Sequence, residues 1–275
     1  MGIRALFLDF DGTSLERDQI HLSARTMNDI RAVLQKGILV IPCTGRAADM
    51  LPPQIQDEEG IRYLVTSGGG RVTDRRTGEL IGHSAFRPDE SARLCRLFEG
   101  RKLYGEFTAE GRVILERAVA DQLDRYPVPS HHRWFMEQNR EIRAERLSEY
   151  FAGNRLGMEK GNIYGLAPAL REQFLEILSG DPLVQVTETA GCELEFFPAN
   201  VSKMGGAVKL LDRLGISLEE SMCIGDGMVD APLIGAVGIG VAMGNAPERV
   251  KAKAGYETAR FDEEGAALAI ERFLL

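Results

Sequence analysis

The sequence has few cysteines, and they are widely spaced. Four occur among 275 residues, at positions 43, 95, 192 and 223, and no two of them form a C-x-x-C pair. Zinc sites and disulfide frameworks are built from such pairs or from denser cysteine, so the spacing argues against both. Cys43 and Cys223 lie in apolar runs, and we expect them to be thiols buried in the core.

The sequence also lacks a long apolar run and an excess of basic residues. Because no stretch of about 18 apolar residues occurs and a strand pattern begins near the N-terminus, we expect no membrane span and no signal peptide. We therefore predict a cytoplasmic protein without a membrane partner. The 33 Lys and Arg residues are outnumbered by 41 Asp and Glu residues, and the net charge is −8. This balance argues against a nucleic-acid partner, and a phosphate ligand would need a local cluster of cations and amides.

What is present is the composition of a globular chain. Hydrophobic residues make up 44% and charged residues 27% of the sequence. A chain of 275 residues has room for one large domain or two ordinary ones. Apolar runs alternate with amphipathic stretches at both ends of the chain, and this pattern predicts an α/β fold.

The stretch Leu8-Asp9-Phe10-Asp11-Gly12-Thr13 follows an apolar run at 5–8. The run predicts a parallel strand buried on both faces, with Asp9 at the C-terminal end, where α/β sheets bind ligands. Side chains alternate along an extended chain, so Asp9 and Asp11 should face the same side. Two neighbouring carboxylates repel each other, and a hard cation such as Mg²⁺ would keep both ionised. An ordinary strand-to-loop turn is the alternative for this motif taken alone.

A second predicted strand, at 38–41, leads into Pro42-Cys43-Thr44-Gly45-Arg46. The helix before it has Ser23 as its predicted N-cap. Because βαβ units are right-handed in nearly all cases, the two strand ends should lie side by side, with Thr44 next to Asp9.

A third predicted strand, at 63–66, ends in Ser67-Gly68-Gly69-Gly70. Three glycines remove every side chain, so a ligand or a second domain would be able to approach closely here. A flexible turn is the alternative, and a hairpin turning at 76–78 should follow.

From about residue 83 to residue 186 the pattern changes. Predicted helices at 89–98 and 169–178 alternate with short strands that carry no carboxylate motif. We therefore expect an α+β domain at 83–186, inserted into a domain formed by 1–82 and 187–275. Within the insertion, the polar and irregular sequence of 126–146 predicts a solvated loop around the two histidines at 131 and 132, with a substrate contact as the alternative.

Two further motifs follow the insertion. Lys203 should lie in the first turn of a helix, where the helix dipole opposes its charge, so we expect it to face an anion, either phosphate or carboxylate. An apolar strand then runs into Gly225-Asp226-Gly227-Met228-Val229-Asp230. Asp226 and Asp230, four residues apart, would complete an acidic cation site beside the first motif, or else serve as capping acids of a helix.

Near the C-terminus, Asn245 is the predicted cap of a helix that begins at Pro247.

In this order the four motifs resemble those of haloacid-dehalogenase-superfamily phosphatases, and most closely the Cof-type sugar-phosphatase branch. They are D-x-D-G-T at 9–13, Thr44-Gly45-Arg46, Lys203 before a helix, and G-D-x-x-x-D at 225–230. Met243-Gly244-Asn245-Ala246 also resembles the segment that follows in that branch. The chain departs from the branch at Val229, where Asn is usual, and at Ser67-Gly68, where many members have Asn-Gly. The resemblance implies a Rossmann-like α/β core with a mainly parallel sheet and an inserted α+β cap that closes over the site.

The resemblance also implies a Mg²⁺-dependent phosphatase that hydrolyses small phosphomonoesters, such as sugar phosphates or related metabolites, through an aspartyl-phosphate. Asp9 would be the nucleophile and Asp11 the general acid and base. Mg²⁺ would be held by Asp9, the backbone carbonyl of Asp11 and Asp226, with Asp230 orienting one of the metal's ligands. The phosphate would be bound by Thr44, amides near Gly45 and Lys203, with Arg46 either assisting or forming a surface ion pair.

Two alternatives remain at this point. A sugar phosphomutase would use the same nucleophile and return the phosphoryl group to a second hydroxyl, but mutases that resemble the family at the first motif tend to lack Thr44-Gly45-Arg46. A non-catalytic regulator that binds a phospholigand or Mg²⁺ is the other alternative, and Val229 is the feature that favours it.

Overall fold

The computed structural model describes residues 2–138, 141–188 and 194–275. Its strands are, in chain order, β1 (Ala5–Leu8), β2 (Leu39–Pro42), β3 (Tyr63–Thr66), β4 (Arg71–Asp74), β5 (Leu80–His83), β6 (Tyr104–Ala109), β7 (Arg112–Glu116), β8 (Ile142–Ala144), β9 (Lys160–Tyr164), β10 (Val184–Glu188), β11 (Leu194–Pro198), β12 (Ser221–Gly225), β13 (Ile239–Ala242) and β14 (Tyr256–Glu257). Its α-helices are α1 (Ala24–Gln35), α2 (Pro53–Asp57), α3 (Pro88–Phe98), α4 (Arg117–Ala120), α5 (Ser130–Glu137), α6 (Leu147–Gly153), α7 (Pro168–Ser179), α8 (Lys203–Leu214), α9 (Ala231–Ile234), α10 (Glu248–Lys251) and α11 (Gly265–Leu274).

The chain divides into two compact units. The core unit comprises Met1–Arg46, Leu51–His83 and Ser202–Leu275, and the inserted unit comprises Ala47–Met50 and Ser84–Val201. The insertion expected at 83–186 therefore extends further along the chain, to residue 201. The reason is that β11 pairs with β10 and β9 in the sheet of the inserted unit, so residues 187–201 do not belong to the core unit as predicted.

The core unit is built on a parallel sheet with the strand order β14-β13-β12-β1-β2. Strand β1 lies between β12 and β2, and none of its residues is more than 1% exposed. Burial on both faces explains why its sequence is continuously apolar, and each large side chain buried there contributes about 1.5–3 kcal/mol. Phe7 belongs to the same apolar cluster as Leu210 of α8 and Ile234 of α9. The predicted cap of α1 is confirmed, since the Ser23 hydroxyl accepts a hydrogen bond from the Thr26 N–H at 3.1 Å.

The glycines after β3 are explained by packing within the core unit. Gly69 has φ of +97°, and a Cβ there would lie 2.0 Å from the carbonyl oxygen of Ser202, at the beginning of α8. The close neighbour of Gly69 is thus the N-terminus of a helix in the same unit, which the sequence did not suggest. The predicted hairpin is present as antiparallel β4 and β5, which form a three-stranded sheet with β3.

The inserted unit contains a mainly antiparallel sheet with the order β10-β11-β9-β6-β7-β8, in which β7 and β8 are parallel. One face carries an aromatic core, where the ring of Phe98 lies 4.8 Å from Phe174 and 5.7 Å from Phe196. Rings at these separations gain about 0.5–1.5 kcal/mol beyond their buried area. The helices α3 and α6 pack against each other beside this core.

The prediction of a solvated loop at 126–146 is wrong. The segment contains helix α5, which buries Phe135 and Met136 in an apolar cluster with Tyr104 and Tyr164, and then strand β8. Burial of Phe135 and Met136 near the end of α5 therefore anchors the helix, although its first turn is polar.

The cysteines behave as expected where the structure describes them. Cys43, Cys95 and Cys223 are buried free thiols, and burial raises the pKa of all three, so none is suited to act as a nucleophile. Cys192 lies outside the described residues. Among the helices that the structure describes, none has both the length and the apolar character needed to cross a membrane.

Candidate active site

The motifs of the core unit meet at the C-terminal ends of β1 and β12. The Asp9 N–H continues the sheet by donating to the carbonyl of Ile224 at 3.1 Å, and the Ser14 hydroxyl donates to the Asp9 carbonyl at 2.6 Å. The N–H groups of residues 13–15 all donate to the carbonyl of Phe10. These contacts hold the turn after β1, and the Asp9 side chain is 8% exposed.

The ammonium group of Lys203 joins the first motif to the last. Its Nζ lies 2.7 Å from an oxygen of Asp9 and 2.7 Å from an oxygen of Asp230, and all three side chains are buried. The other oxygen of Asp230 accepts from the Gly227 N–H at 2.9 Å. The expected anion opposite Lys203 is therefore a pair of carboxylates of the same chain, and this pair offsets the unfavourable helix dipole.

Asp226 is held by residues from two distant parts of the chain. It accepts hydrogen bonds from the Thr13 hydroxyl at 3.0 Å and from the side-chain amide of Asn245 at 3.3 Å. Gly12 lies against it with φ of +71°, where a Cβ would come within 2.5 Å of its Oδ2. Glycine in the first motif therefore allows the turn after β1 to approach Asp226.

Asn245 does not act as the predicted helix cap. Helix α10 begins after Pro247, without a side-chain cap. The Asn245 amide instead donates to the Gly12 carbonyl at 2.8 Å, and its oxygen accepts from the Phe261 N–H at 3.0 Å. Asn245 therefore links the first motif to the C-terminal part of the chain. The sequence signal for this residue was the resemblance of segment 243–246 to the Cof-type branch.

The three acidic side chains form a cluster with surplus negative charge. Asp9, Asp226 and Asp230 each offer a carboxylate oxygen within 4.8 Å of the others, and Lys203 contributes one positive charge. Burial, followed by the charge of Asp230, raises the pKa of Asp9 well above its usual range and that of Asp226 to about 6. Burial would lower the pKa of Lys203, but Asp230 and Asp9 raise it well above its usual value, so its ammonium stays charged. Such a donor set suits a hard divalent cation.

The side chain of Asp11 faces Arg46. The Arg46 Nε lies 2.8 Å from Asp11 Oδ2 and its Nη2 lies 2.5 Å from Asp11 Oδ1. The ion pair considered for Arg46 is present, but Arg46 is not at the surface, because its side chain is 6% exposed and that of Asp11 is 47% exposed. The predicted role of the Asp11 backbone carbonyl as a metal ligand stays a prediction.

Thr44 lies fully buried where the chain leaves β2. Its hydroxyl accepts from the Arg46 N–H at 3.1 Å, and its own N–H donates to the Val65 carbonyl at 3.0 Å. The neighbouring Cys43 N–H donates to Leu8 at 2.9 Å, so the loop containing Thr44 and Gly45 follows directly beside the end of β1.

Val229, the departure from the fourth motif, lies in the turn between Asp226 and Asp230 and is 39% exposed. Those two carboxylates accept hydrogen bonds from Thr13, Asn245, Lys203 and the Gly227 N–H. Valine at position 229 therefore does not prevent the acidic cluster from forming.

A second buried polar cluster, in the inserted unit, was missed from the sequence. The Glu106 carboxylate is bound by the hydroxyl of Tyr104 and by His132, whose Nδ1 lies 2.6 Å from Glu106 Oε1. On the neighbouring strand, the Asn162 amide donates to the Tyr164 hydroxyl at 2.9 Å. Tyr104 and Glu106 are two residues apart on β6, a spacing that places both side chains on one face of the strand. His132 comes from α5, a helix that the sequence did not predict.

The chain is similar to known proteins along nearly its whole length. A family model described as haloacid dehalogenase-like hydrolase matches residues 6–270. A 5-amino-6-(5-phospho-D-ribitylamino)uracil phosphatase of Bacillus subtilis (strain 168) is 24% identical, over 99% of this chain and 96% of its own. The phosphatase YwpJ of the same organism is 27% identical, over 99% of this chain and 100% of its own.

Solved structures share the fold. A haloacid dehalogenase-like hydrolase from Bacteroides thetaiotaomicron superposes with a TM-score of 0.81 at 24% identity, covering 98% of this chain and 99% of that one. A HAD subclass IIB sugar phosphatase gives a TM-score of 0.77 at 24% identity, with 98% of each chain covered. The arrangement of an α/β core and an inserted α+β unit is thus a known one.

Proposed function

This chain belongs to the haloacid dehalogenase-like hydrolase family, and from that premise we propose that it is a phosphatase of small phosphomonoesters, with Asp9 as the nucleophile. The observation that carries the proposal is the position of the Asp9 carboxylate, 2.7 Å from Lys203 and beside Asp226 and Asp230 at the end of a central strand. Relatives over nearly the whole chain are named as phosphatases, which supports the same reaction class.

In the first step, an oxygen of Asp9 attacks the phosphorus atom. A bond forms between that oxygen and phosphorus, the bond from phosphorus to the ester oxygen breaks, and Asp11 gives a proton to the departing oxygen. In the second step, Asp11 takes a proton from water, which attacks the aspartyl-phosphate and releases inorganic phosphate. Asp9 is regenerated, so atoms and protons balance over the cycle.

Charge neutralisation is the main task of the surrounding residues, because an anionic nucleophile must approach an anionic substrate. Lys203 supplies one fixed positive charge against Asp9, and we propose Lys203, Thr44 and the amides near Gly45 as the ligands of the phosphoryl oxygens. Helix α8 and the strand ends fix the backbone of these residues, so little reorganisation is needed when the substrate binds.

The acidic cluster is proposed as the Mg²⁺ site. Asp9, Asp226 and the Asp11 backbone carbonyl would hold the ion, with Asp230 orienting the set through Lys203 and the Gly227 N–H. Mg²⁺ would shield the carboxylates from the substrate and from one another. The raised pKa of Asp9 and of Asp226, caused first by burial and then by the charge of Asp230, supports this assignment, because a bound cation would favour the ionised form of both groups. In this proposal the inserted unit is the cap that selects the leaving group.

The test is phosphate release from p-nitrophenyl phosphate, with Mg²⁺ and with a chelator. Asp9→Asn should lower kcat at least ~10⁴-fold while the thermal transition of the protein is retained. Asp212→Asn, which removes an exposed carboxylate of α8, is the matched control and should leave kcat unchanged. Turnover by Asp9→Asn at the wild-type rate would contradict the covalent route, and full activity in chelator would contradict the Mg²⁺ assignment.

Substrate class is then measured with a panel of sugar phosphates, nucleotides and cofactor phosphates, compared by kcat/KM. The proposal predicts release of inorganic phosphate without any activator. Dependence of turnover on a bisphosphate would instead identify a phosphomutase.

A further inference from the structure

Arg46 makes contacts that a phosphate ligand does not need. Its two nitrogens bind both oxygens of Asp11, and its Nη2 also donates to the carbonyl of Gln19 at 2.8 Å. Gln19 has φ of +58°, a conformation uncommon for this residue type, and its carbonyl is the acceptor for Arg46. The guanidinium is therefore oriented from two sides.

The backbone of Arg46 is also fixed. Its N–H donates to the Thr44 hydroxyl at 3.1 Å, and its carbonyl accepts from the Ser67 N–H at 2.9 Å. A buried cation on a fixed backbone thus binds a carboxylate that is half exposed on a turn. In such a pair the arginine determines the position of the carboxylate, because a two-nitrogen contact restricts both the distance and the plane of the carboxyl group.

The contact leaves Asp11 able to exchange a proton. Each carboxylate oxygen has two lone pairs, and the Asp11 side chain is 47% exposed. The contact with Arg46 therefore does not by itself close the carboxylate off from solvent.

We propose that Arg46 is a positioning residue for Asp11 rather than a ligand of the substrate phosphate. The inference rests on the proposed function, in which Asp11 gives a proton to the leaving oxygen and later takes one from water. Loss of Arg46 should then harm the proton-transfer steps and spare phosphate binding.

Leaving groups of different acidity separate the two roles. An alkyl phosphate, such as glycerol 1-phosphate, needs a proton on its departing oxygen, whereas p-nitrophenolate leaves without one. The value of kcat/KM covers the steps up to departure of the leaving group. A residue that positions Asp11 therefore affects kcat/KM for the alkyl ester, while a residue that binds the phosphoryl group affects both esters equally.

The experiment compares Arg46→Gln, Asp11→Asn and the double variant on both esters. For Arg46→Gln, kcat/KM should fall about 10²-fold with the alkyl phosphate and less than about fivefold with p-nitrophenyl phosphate. Asp11→Asn should give the same pattern, and the double variant should be no worse than Asp11→Asn alone, since the two residues act as one unit. Inhibition by inorganic phosphate should be unchanged in Arg46→Gln.

Equal losses on the two esters, weaker inhibition by phosphate, or additive losses in the double variant would overturn the proposal. Arg17→Gln, which removes an exposed arginine from the segment between β1 and α1 that also contains Asp11 and Gln19, is the matched control and should behave as wild type. If Arg46→Gln does not fold, Arg46→Lys keeps the charge without the planar two-nitrogen contact and should show the same dependence on the leaving group. Failure of the proposed function is recognised separately, because Asp9→Asn would then hydrolyse both esters.

Discussion

The two units each bury a cluster of ionisable side chains, and the clusters differ in charge balance. In the core unit, the carboxylates of Asp9, Asp226 and Asp230 are matched by the single ammonium group of Lys203. In the inserted unit, the carboxylate of Glu106 is bound by Tyr104 and His132.

The pKa values of the carboxyl groups move in opposite directions. Burial raises the pKa of Asp9 and of Asp226, and the charge of Asp230 raises both further. Burial would also raise the pKa of Glu106, but the charge and hydrogen bond of His132, the Tyr104 hydroxyl and the charge of Lys160 together hold it below its usual range.

Burial alone therefore does not decide the ionisation of a carboxyl group in this protein, since the neighbouring charges do. The cluster around Glu106 neutralises itself and can be purely structural. The cluster around Asp9 has negative charge left over, and it lies at the strand ends where a ligand can be bound. A cation bound there would neutralise this charge, as the proposed Mg²⁺ site requires.

The largest effect on stability is expected from Glu106→Gln. Replacing the carboxylate weakens the charge-assisted hydrogen bonds from His132 and Tyr104 in a buried site, and we expect a loss of about 3 kcal/mol in the free energy of unfolding at pH 7. Urea denaturation measures it. Glu137→Gln, at an exposed position of α5, is the control and should change stability by less than about 0.5 kcal/mol. Equal effects of the two variants would show that the Glu106 cluster is not the balanced unit described above.

The difference between the clusters also bears on what the sequence can predict. Asp9, Asp226 and Lys203 were predicted because each follows a local pattern, an apolar run or a helix start, and the sheet then brings the strand ends together. The contacts of Asn245 and Arg46 were not predicted, since they join residues 233 and 35 positions apart and depend on where side chains point.

The inserted unit was predicted less well for the same reason. Helix α5 begins after two prolines with a polar turn, and its apolar residues become informative only beside Tyr104 and Tyr164. Strand β11 falls within the range 187–275 that was predicted as core, but it pairs with β9 and β10 over a long range, and no local pattern encodes that pairing. Tertiary contacts override local propensity at both places.

A smaller effect should come from the glycine that lies against the acidic cluster. Gly12→Ala forces a left-handed alanine and a Cβ 2.5 Å from Asp226 Oδ2, and we expect a loss of about 2 kcal/mol in the free energy of unfolding, together with a weaker stabilisation by Mg²⁺. Gly78→Ala has nearly the same φ, +73°, with no atom within 4 Å of the added Cβ, and should lose about 1 kcal/mol. Identical losses, with an unchanged response to Mg²⁺, would mean that the space beside Asp226 does not matter.

The pH dependence of the two clusters should have opposite signs. The folded metal-free protein keeps a proton on Asp226 up to a pKa of about 6, whereas the unfolded chain releases it near 3.8, so the contribution of Asp226 to stability falls as pH rises from about 4 to 6. Glu106 has a lowered pKa in the folded protein, so it stabilises the fold above the ordinary pKa of glutamate. This contribution to the free energy of unfolding is lost as the pH falls through that value and then through the lowered pKa.

The smallest effect, and the one opposite in sign, is expected from Asp226→Asn in the metal-free protein. The asparagine cannot ionise, so the variant avoids the cost of ionising Asp226 in the folded state. The change in pKa from 3.8 to about 6 corresponds to about 3 kcal/mol, and because solvent screens this partly exposed group, we expect a net gain of about 1 kcal/mol over wild type at pH 7. This gain should vanish below about pH 3, where Asp226 is protonated in both states. Millimolar Mg²⁺ should reverse the order at pH 7, since an ion that binds the folded wild type stabilises it by mass action and the variant has lost a ligand. Chemical denaturation at the two pH values, with and without Mg²⁺, measures all of these differences. A variant less stable than wild type without metal would mean that the negative charge of the cluster is already neutralised by the chain, and the physical argument for a cation there would fail.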